Sequence, residues 1–417
     1  MSKITGIAIV CALVPALLCG CLTSSAGSRK GKDESRENTP VATDEYPDYR
    51  VVVGYMPSWS GALADVDMSR LTHVNYAFHV TTEDGGVVPS WWRGAPSNYT
   101  DFDVRLDSLV LLGHKEGIKV LLAIGGASDK NFGKFVTDKK KRQRFFDQVD
   151  SLVVKYRLDG IDIDWEYPEN EEEGEAFTAL MKGLRARLDA RDTNLLLTAA
   201  VGASVYGAAN VTLEGVKQCD WINVMTYDYT GGWSSSAIGS TAPMSFVRSG
   251  TKYWHDRGVS YARMAIGVPF YGIRFTLVDK IRVGAAQVAF RNVAGIFDVD
   301  RSLKTDTVRF LADTAHVDPS DTTRDGRPYV PSDTTWLYFW DSPGFVAEKA
   351  EYAMYNKFRG LMIWELSQDL RVDSLSLLKS MWDKILDMGK GPELARKKVT
   401  EGVPYTASLK DLRASLR

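Results

Sequence analysis

The chain has 417 residues, with 51 Lys and Arg against 53 Asp and Glu and a formal net charge of -2. So close a balance supplies neither the basic field that nucleic acid requires nor a polyacidic tail, and 44% hydrophobic with 25% charged residues excludes wholesale disorder. The length accommodates two or three domains, or a single α/β barrel of more than about 250 residues.

In chain order, Lys3 precedes an apolar run from Ile4 to Leu18. At about 15 residues it is shorter than the roughly 20 that a membrane span needs, and it fits a secretory segment. It ends in Leu18-Cys19-Gly20-Cys21, which resembles a bacterial lipoprotein box, with a small residue before the cleavage point and an apolar one three positions before Cys21. The expectation is a lipoprotein signal peptide over 1–20 and lipid attachment at Cys21. An ordinary signal peptide is the alternative. Lipidation would place the protein at the bacterial cell envelope, on the periplasmic or cell-surface side of a membrane, held only by its lipid anchor. Cys11 and Cys19 would leave with the signal, so that Cys21 and Cys219 remain and no intrachain disulfide forms. Residues 21–48 are polar and aperiodic and read as a flexible tether.

Short apolar, β-branched or aromatic runs then recur at Val51–Met56, Thr72–Phe78, Lys119–Ile124, Gly160–Trp165, Leu195–Val201, Trp221–Thr226, Met264–Phe270 and Gly360–Trp364. Helical spacing appears between them, in Asp107, Val110, Leu111 and His114, and in Phe177, Leu180, Met181, Leu184 and Leu188. Alternating strands and helices imply a parallel sheet, and eight units imply an α/β fold closed as a (β/α)8 TIM barrel over 49–388. An open doubly wound sheet shares the same pattern. The rhythm breaks between strands seven and eight, which predicts a small α+β insertion at about 275–338 beside the active face, with Trp336–Trp340 as a strand or as the lead-in to the last helix. Residues 389–417 are charged and weakly patterned, a C-terminal appendage without an assigned role.

The chemistry is concentrated in Asp159-Gly160-Ile161-Asp162-Ile163-Asp164-Trp165-Glu166-Tyr167-Pro168. Strand alternation puts Asp162, Asp164 and Glu166 on one face and Ile161, Ile163 and Trp165 on the other. Carboxylates about 7 Å apart on a buried face cannot all ionise cheaply, so at least one holds its proton at neutral pH. Glu166, nearest the barrel mouth, is placed to act as a general acid. A calcium or magnesium site is the competing use of clustered carboxylates, but the spacing lacks the EF-hand pattern and the intervening residues are bulky and apolar.

This decapeptide resembles the signature of glycoside hydrolase family 18, the chitinase and endo-β-N-acetylglucosaminidase family. The resemblance runs from about Tyr49 to Met388: Gly54-Tyr55, Asn75-Tyr76-Ala77-Phe78, Ile124-Gly125-Gly126, Met225-Thr226-Tyr227-Asp228, Pro269-Phe270-Tyr271-Gly272 and Met362-Ile363-Trp364-Glu365 follow in the family's order. It implies that Glu166 protonates the glycosidic oxygen while the substrate's own 2-acetamido carbonyl attacks, giving an oxazolinium ion and retained stereochemistry. Asp164 would stabilise the acetamido nitrogen and share a proton network with Asp162. Tyr227 would hydrogen-bond the acetamido oxygen, Asp228 would contact the distorted sugar, and Trp364 would form its floor, with Met225 and Tyr55 also in the substrate-binding set. The resemblance implies no cofactor and no metal, a glycan substrate containing N-acetylglucosamine, and a monomer. Ala123 stands where relatives carry a serine that helps hold the inner aspartate, for which Tyr55 is a compensating donor. Arg274 sits one residue later than the family's arginine.

Of the loop tryptophans Trp59, Trp91, Trp92 and Trp233, the last is chosen as a sugar platform because it follows the sixth-strand motif. His73, His79, His114, His255 and His316 show no zinc spacing. Three functions remain: hydrolysis of β-1,4-linked N-acetylglucosamine chains, release of N-glycans by an endo-β-N-acetylglucosaminidase, and lectin-like binding without catalysis.

Overall fold

The structure is a computed structural model that describes residues 49–59, 61, 63–90, 99–233, 236–278, 280–296, 307–312 and 334–388. The expected signal peptide, Cys21, the tether, the 389–417 appendage, Trp91, Trp92 and His316 lie outside the described residues.

The strands are β1 Val51–Pro57, β2 His73–Thr81, β3 Val87–Pro89, β4 Lys119–Gly125, β5 Gly160–Asp164, β6 Leu196–Gly202, β7 Trp221–Met225 and β8 Met264–Pro269. They continue with β9 Tyr271–Val278, β10 Ile281–Ala289, β11 Thr307–Ala312, β12 Thr334–Trp340 and β13 Gly360–Trp364. The helices used below are α1 Tyr99–Lys115, α2 Lys139–Tyr156, α3 Glu171–Arg191, α4 Met244–Asp256, α5 Pro343–Tyr355 and α6 Leu377–Asp387.

Eight parallel strands run in the order β1-β13-β8-β7-β6-β5-β4-β2, and β1 also pairs with β2. That last pairing closes the sheet into a (β/α)8 barrel and excludes the open alternative, in which β1 would bond one neighbour only. β3, absent from the sequence reading, adds antiparallel to the overhang of β2 at His79–Thr81.

Alternation along each strand divides the core in two. Val52, Val74, Val120, Leu122, Ile161 and Ile163 point outward and pack in one large cluster with helix residues such as Phe177, Leu180, Met181, Leu184 and Leu188. Burying each such side chain contributes about 1.5–3 kcal/mol. Val51, Val53, Tyr55, Leu121, Ala123, Tyr227 and Met362 form the interior cluster of the barrel.

Between β8 and β13 the chain builds a second, antiparallel sheet in the order β10-β9-β12-β11. Its first strand begins at Tyr271, two residues after Pro269, and its last described strand ends at Trp340. It is therefore wider at both ends than the 275–338 read from the sequence. Ile273, Phe275, Leu337 and Phe339 make its own small core. Trp336–Trp340 is a strand: Leu337 and Phe339 face that core, while Tyr338 and Trp340 join the main one.

Candidate active site

Asp162 and Asp164 point into the barrel because Ile161, Ile163 and Trp165 take the outward face, where Trp165 stacks on Phe132 with ring centroids 5.2 Å apart. Strand β5 ends at Asp164. Glu166 is thus carried by the following turn and not by the strand face on which the sequence reading set it. Two features fix that turn. Asn170 caps α3 by accepting from Glu173 N at 2.9 Å, and the Glu173 carboxylate accepts from Glu169 N at 2.8 Å, so the helix starts at a defined point after Pro168. On the other side, Gly126 N donates to Asp164 O at 2.8 Å. Gly125 has φ +121 and a Cβ there would lie 2.0 Å from the same carbonyl, which is why the third-strand motif ends in glycine.

Asp162 is fully buried and held from three strands. Tyr55 Oη donates to Oδ2 at 2.6 Å, while Thr198 Oγ1 at 2.5 Å and Asn223 Nδ2 at 3.2 Å donate to Oδ1. Burial pushes its carboxyl up from the ordinary range, against the pull of these donors. Ala123 packs in the interior cluster nearby and supplies no hydroxyl. Thr198 and Asn223 were not singled out from the sequence; the available signal was a lone polar residue in each of two otherwise apolar strands. Asp164 is buried too, and its Oδ1 has no hydrogen-bond partner. Burial, then the neighbouring Glu166 and Asp162, hold its proton on well above the ordinary range. Glu166 is half-buried at the mouth; desolvation raises it, a nearby Asp228 adds to the rise, and Tyr167 and Lys130 oppose it.

Tyr227 is buried, its hydroxyl 3.8 Å from Met362 Sδ and its ring edge-on to Tyr271 at 6.3 Å. Asp228 has φ 58, a left-handed conformation that Asp tolerates. Its carboxylate accepts from Tyr271 Oη at 2.5 Å, and its N–H donates to Thr241 Oγ1 at 3.0 Å. Tyr271 and Thr241 are further residues the sequence reading assigned no role. Trp364 is half-buried, stacked on Phe78 at 5.7 Å and tilted against Tyr55 at 5.6 Å. Met225 and Trp59 pack beside the same interior cluster, Trp59 against Phe78 at 6.2 Å. Trp233 stands apart, 45% exposed on the loop after β7. Arg274 lies on β9 with its guanidinium over Trp336 at 5.4 Å.

Of the described histidines, His73 packs edge-on to Trp221, His79 on Phe102, and His255 on Tyr261, while His114 Nε2 lies 2.7 Å from Asp159 at the start of β5. Among the described residues no three His, Cys, Asp or Glu side chains group as a metal site would require. The interior therefore offers a proton donor at the mouth, a carboxyl behind it with one oxygen unpartnered, a buried phenol and an indole platform. These can protonate a leaving group and support a positive charge developing deeper in the pocket.

A sequence model described as glycosyl hydrolases family 18 matches residues 51–369. Chitinase A1 of Niallia circulans is 27% identical over 79% of this chain and 58% of its own length, and probable chitinase 10 of Drosophila melanogaster is 26% identical over 87% of this chain and 17% of its own. The chain thus spans little more than half of the first and under a fifth of the second. Among solved structures, the Ostrinia furnacalis Group IV chitinase in complex with allosamidin is 25% identical with a TM-score of 0.66, covering 82% of this chain and all of that one.

Proposed function

Because the chain belongs to glycosyl hydrolases family 18, we propose that it is a chitinase-like glycosidase cleaving β-1,4 linkages between N-acetylglucosamine units by substrate assistance. Glu166 gives its proton to the glycosidic oxygen as that bond to C1 breaks, and the carbonyl oxygen of the substrate's 2-acetamido group bonds to C1 from the opposite face. The resulting oxazolinium ion carries its charge largely on nitrogen. Water, losing a proton to the Glu166 carboxylate, then adds to C1, reopens the ring and restores the original anomeric configuration.

The observation that carries this reading is Asp164: a buried carboxyl beside the acid, with one oxygen left without a partner. A buried polar atom without a partner costs free energy unless a ligand supplies one, and an oxazolinium N–H would do so. Tyr227 offers its hydroxyl to the acetamido oxygen, Trp364 gives the sugar a flat apolar floor, and Asp228 meets its hydroxyls. Product analysis tests the reading. The protein is incubated separately with chito-oligosaccharides and with an N-glycoprotein, and released sugars are read by mass spectrometry. Short N-acetylglucosamine oligomers from the first substrate support it. Release of intact glycans from the second, with one N-acetylglucosamine left on the protein, would replace it with glycan release. Binding without products from either would leave a lectin.

The envelope location rests on Lys3, the Ile4 to Leu18 run and Cys21; the enzyme is proposed to act as a monomer on that anchor. Labelled palmitate should enter the wild-type chain and not Cys21→Ser.

A further inference from the structure

Arg282 on β10 donates to three backbone carbonyls of one loop: Gly231 O at 2.8 Å and Trp233 O at 2.9 Å through Nη2, and Ser236 O at 2.5 Å through Nη1. Its guanidinium also lies over the Phe275 ring at 4.9 Å, so it is backed by the small core of the second sheet. The loop is otherwise tied to itself. Gly231 N donates to Ser236 Oγ at 2.8 Å, Thr230 Oγ1 to Gly239 O at 2.7 Å, and Tyr229 N to Thr241 O at 2.8 Å, which leads back to the Thr241 contact with Asp228. At its tip the Trp233 ring covers Gly231 so closely that a Cβ on that glycine would fall 1.9 Å from it. An exposed indole is thereby fixed at one end of a loop whose other end is Asp228.

The reach of β10 depends on a bulge. Its register against β9 shifts between Arg282 and Gly284, so Arg282 pairs with Leu277 and Gln287 with Ile273. Leu277 and Ile273 are four apart and share a face of β9. Five residues of regular strand would put Arg282 and Gln287 on opposite faces; the extra residue Val283 brings them to the same one. Gln287 hydrogen-bonds the Asp228 carboxylate. One strand of the second sheet therefore holds both ends of the β7 loop.

We propose that Arg282 is a positioning residue that fixes Trp233 as a platform for a sugar beyond the one being cleaved, and so sets affinity for long N-acetylglucosamine chains without taking part in bond breaking. This rests on the chitinase-like reading for the identity of the sugar. Three carbonyls around one fork suit the five fixed N–H donors of a guanidinium, which is always charged; an ammonium has a smaller reach.

The test measures binding and turnover separately on the full chain. Chitohexaose and chitobiose affinities are read by tryptophan fluorescence, and hexamer hydrolysis by steady-state kinetics, for wild type, Arg282→Met, Arg282→Lys, Trp233→Ala and the Arg282→Met/Trp233→Ala double variant. Arg282→Met is expected to weaken hexamer binding and raise its KM roughly 5–30-fold, with kcat and chitobiose affinity within about twofold. Arg282→Lys should fall between the two, and it carries the same readout if the Met variant does not fold. In the Trp233→Ala background the Arg282 change should add nothing, since the arginine acts through that ring. Equal losses on dimer and hexamer, unchanged hexamer affinity, or additive effects of the two substitutions would overturn the proposal. Hydrolysis and binding fail separately: a wild type that binds hexamer in an Arg282-dependent way but never cleaves it keeps the clamp and loses the hydrolase reading.

Discussion

Burial raises the carboxyls of Glu166, Asp164 and Asp162 above their ordinary range, and they differ in what each meets: solvent at the mouth, one oxygen without a partner, and three donors. Glu166→Gln keeps the shape and removes the proton that leaves, so kcat should fall roughly 10²–10⁴-fold with hexamer affinity largely kept. Because the Glu166 pKa is raised above its usual 4.5, the acid form survives further into neutral pH. A kcat–pH profile should therefore show its alkaline limb falling through a pKa above that value. A second consequence concerns stability. Asp164 has a folded-state pKa well above 3.8. Below the unfolded-state pKa both states are protonated and the group has no effect; as pH rises above it, the unfolded chain ionises freely while the folded one cannot, and stability is lost up to the folded pKa. Asp164→Asn removes that loss. Its Tm should exceed wild type by roughly 2–4 °C at pH 8 and by nothing measurable at pH 3, at the expense of turnover. The acidic row was legible because strand alternation needs only neighbouring residues. Thr198 and Asn223 were not, because their partnership with Asp162 spans 36 and 61 positions and exists only once the barrel closes.

At the scale of elements, the barrel strands were read within a few residues, β5 to within one, whereas the second sheet begins earlier and ends later than its predicted bounds. Trp165 and Glu166 continue the alternation of β5 in sequence, but backbone pairing stops at Asp164, where Gly126 N caps the strand and α3 begins shortly after. The bulge of β10 is invisible to pattern, since Ile281, Val283 and their neighbours form an unremarkable apolar alternation. Its contribution can be removed in one step. Deleting Val283 leaves Arg282 and Gln287 four positions apart in a regular strand, against the same partners Leu277 and Ile273 and so on one face. Both ends of the β7 loop then keep their ties, and hexamer KM and kcat should stay within about twofold of wild type. A rise in KM as in Arg282→Met would show instead that the local twist of the bulge, and not the shared face alone, sets the reach of β10. Steady-state kinetics on the hexamer separates the two outcomes.

For the whole molecule, sequence pattern supplied eight βα units but not their closure, because an open sheet has the same alternation; the pairing of β1 with both β2 and β13 decides it. What joins the second sheet to the closed barrel is equally nonlocal. Asp341 directly follows β12 and forms a buried ion pair with Lys349 of α5, the two side chains being 1% and 0% exposed, and the Lys349 ammonium also lies 4.7 Å from the Phe345 ring centre. α5 in turn packs its Val346, Ala350 and Ala353 in the main core that also receives Tyr338 and Trp340. With that core shared and the pair at its edge, second sheet and barrel should unfold together, in one transition followed alike by fluorescence and by loss of hexamer binding. Removing one member strands the other charge in the interior. Asp341→Ala should therefore cost roughly 3–5 kcal/mol by denaturant titration, while Asp341→Leu with Lys349→Met, which removes both charges and keeps the volume, should cost far less or nothing. Two separate transitions in the wild type would show instead that sheet and barrel unfold independently, and equal losses in the single and double variants that the ion pair itself contributes that stability.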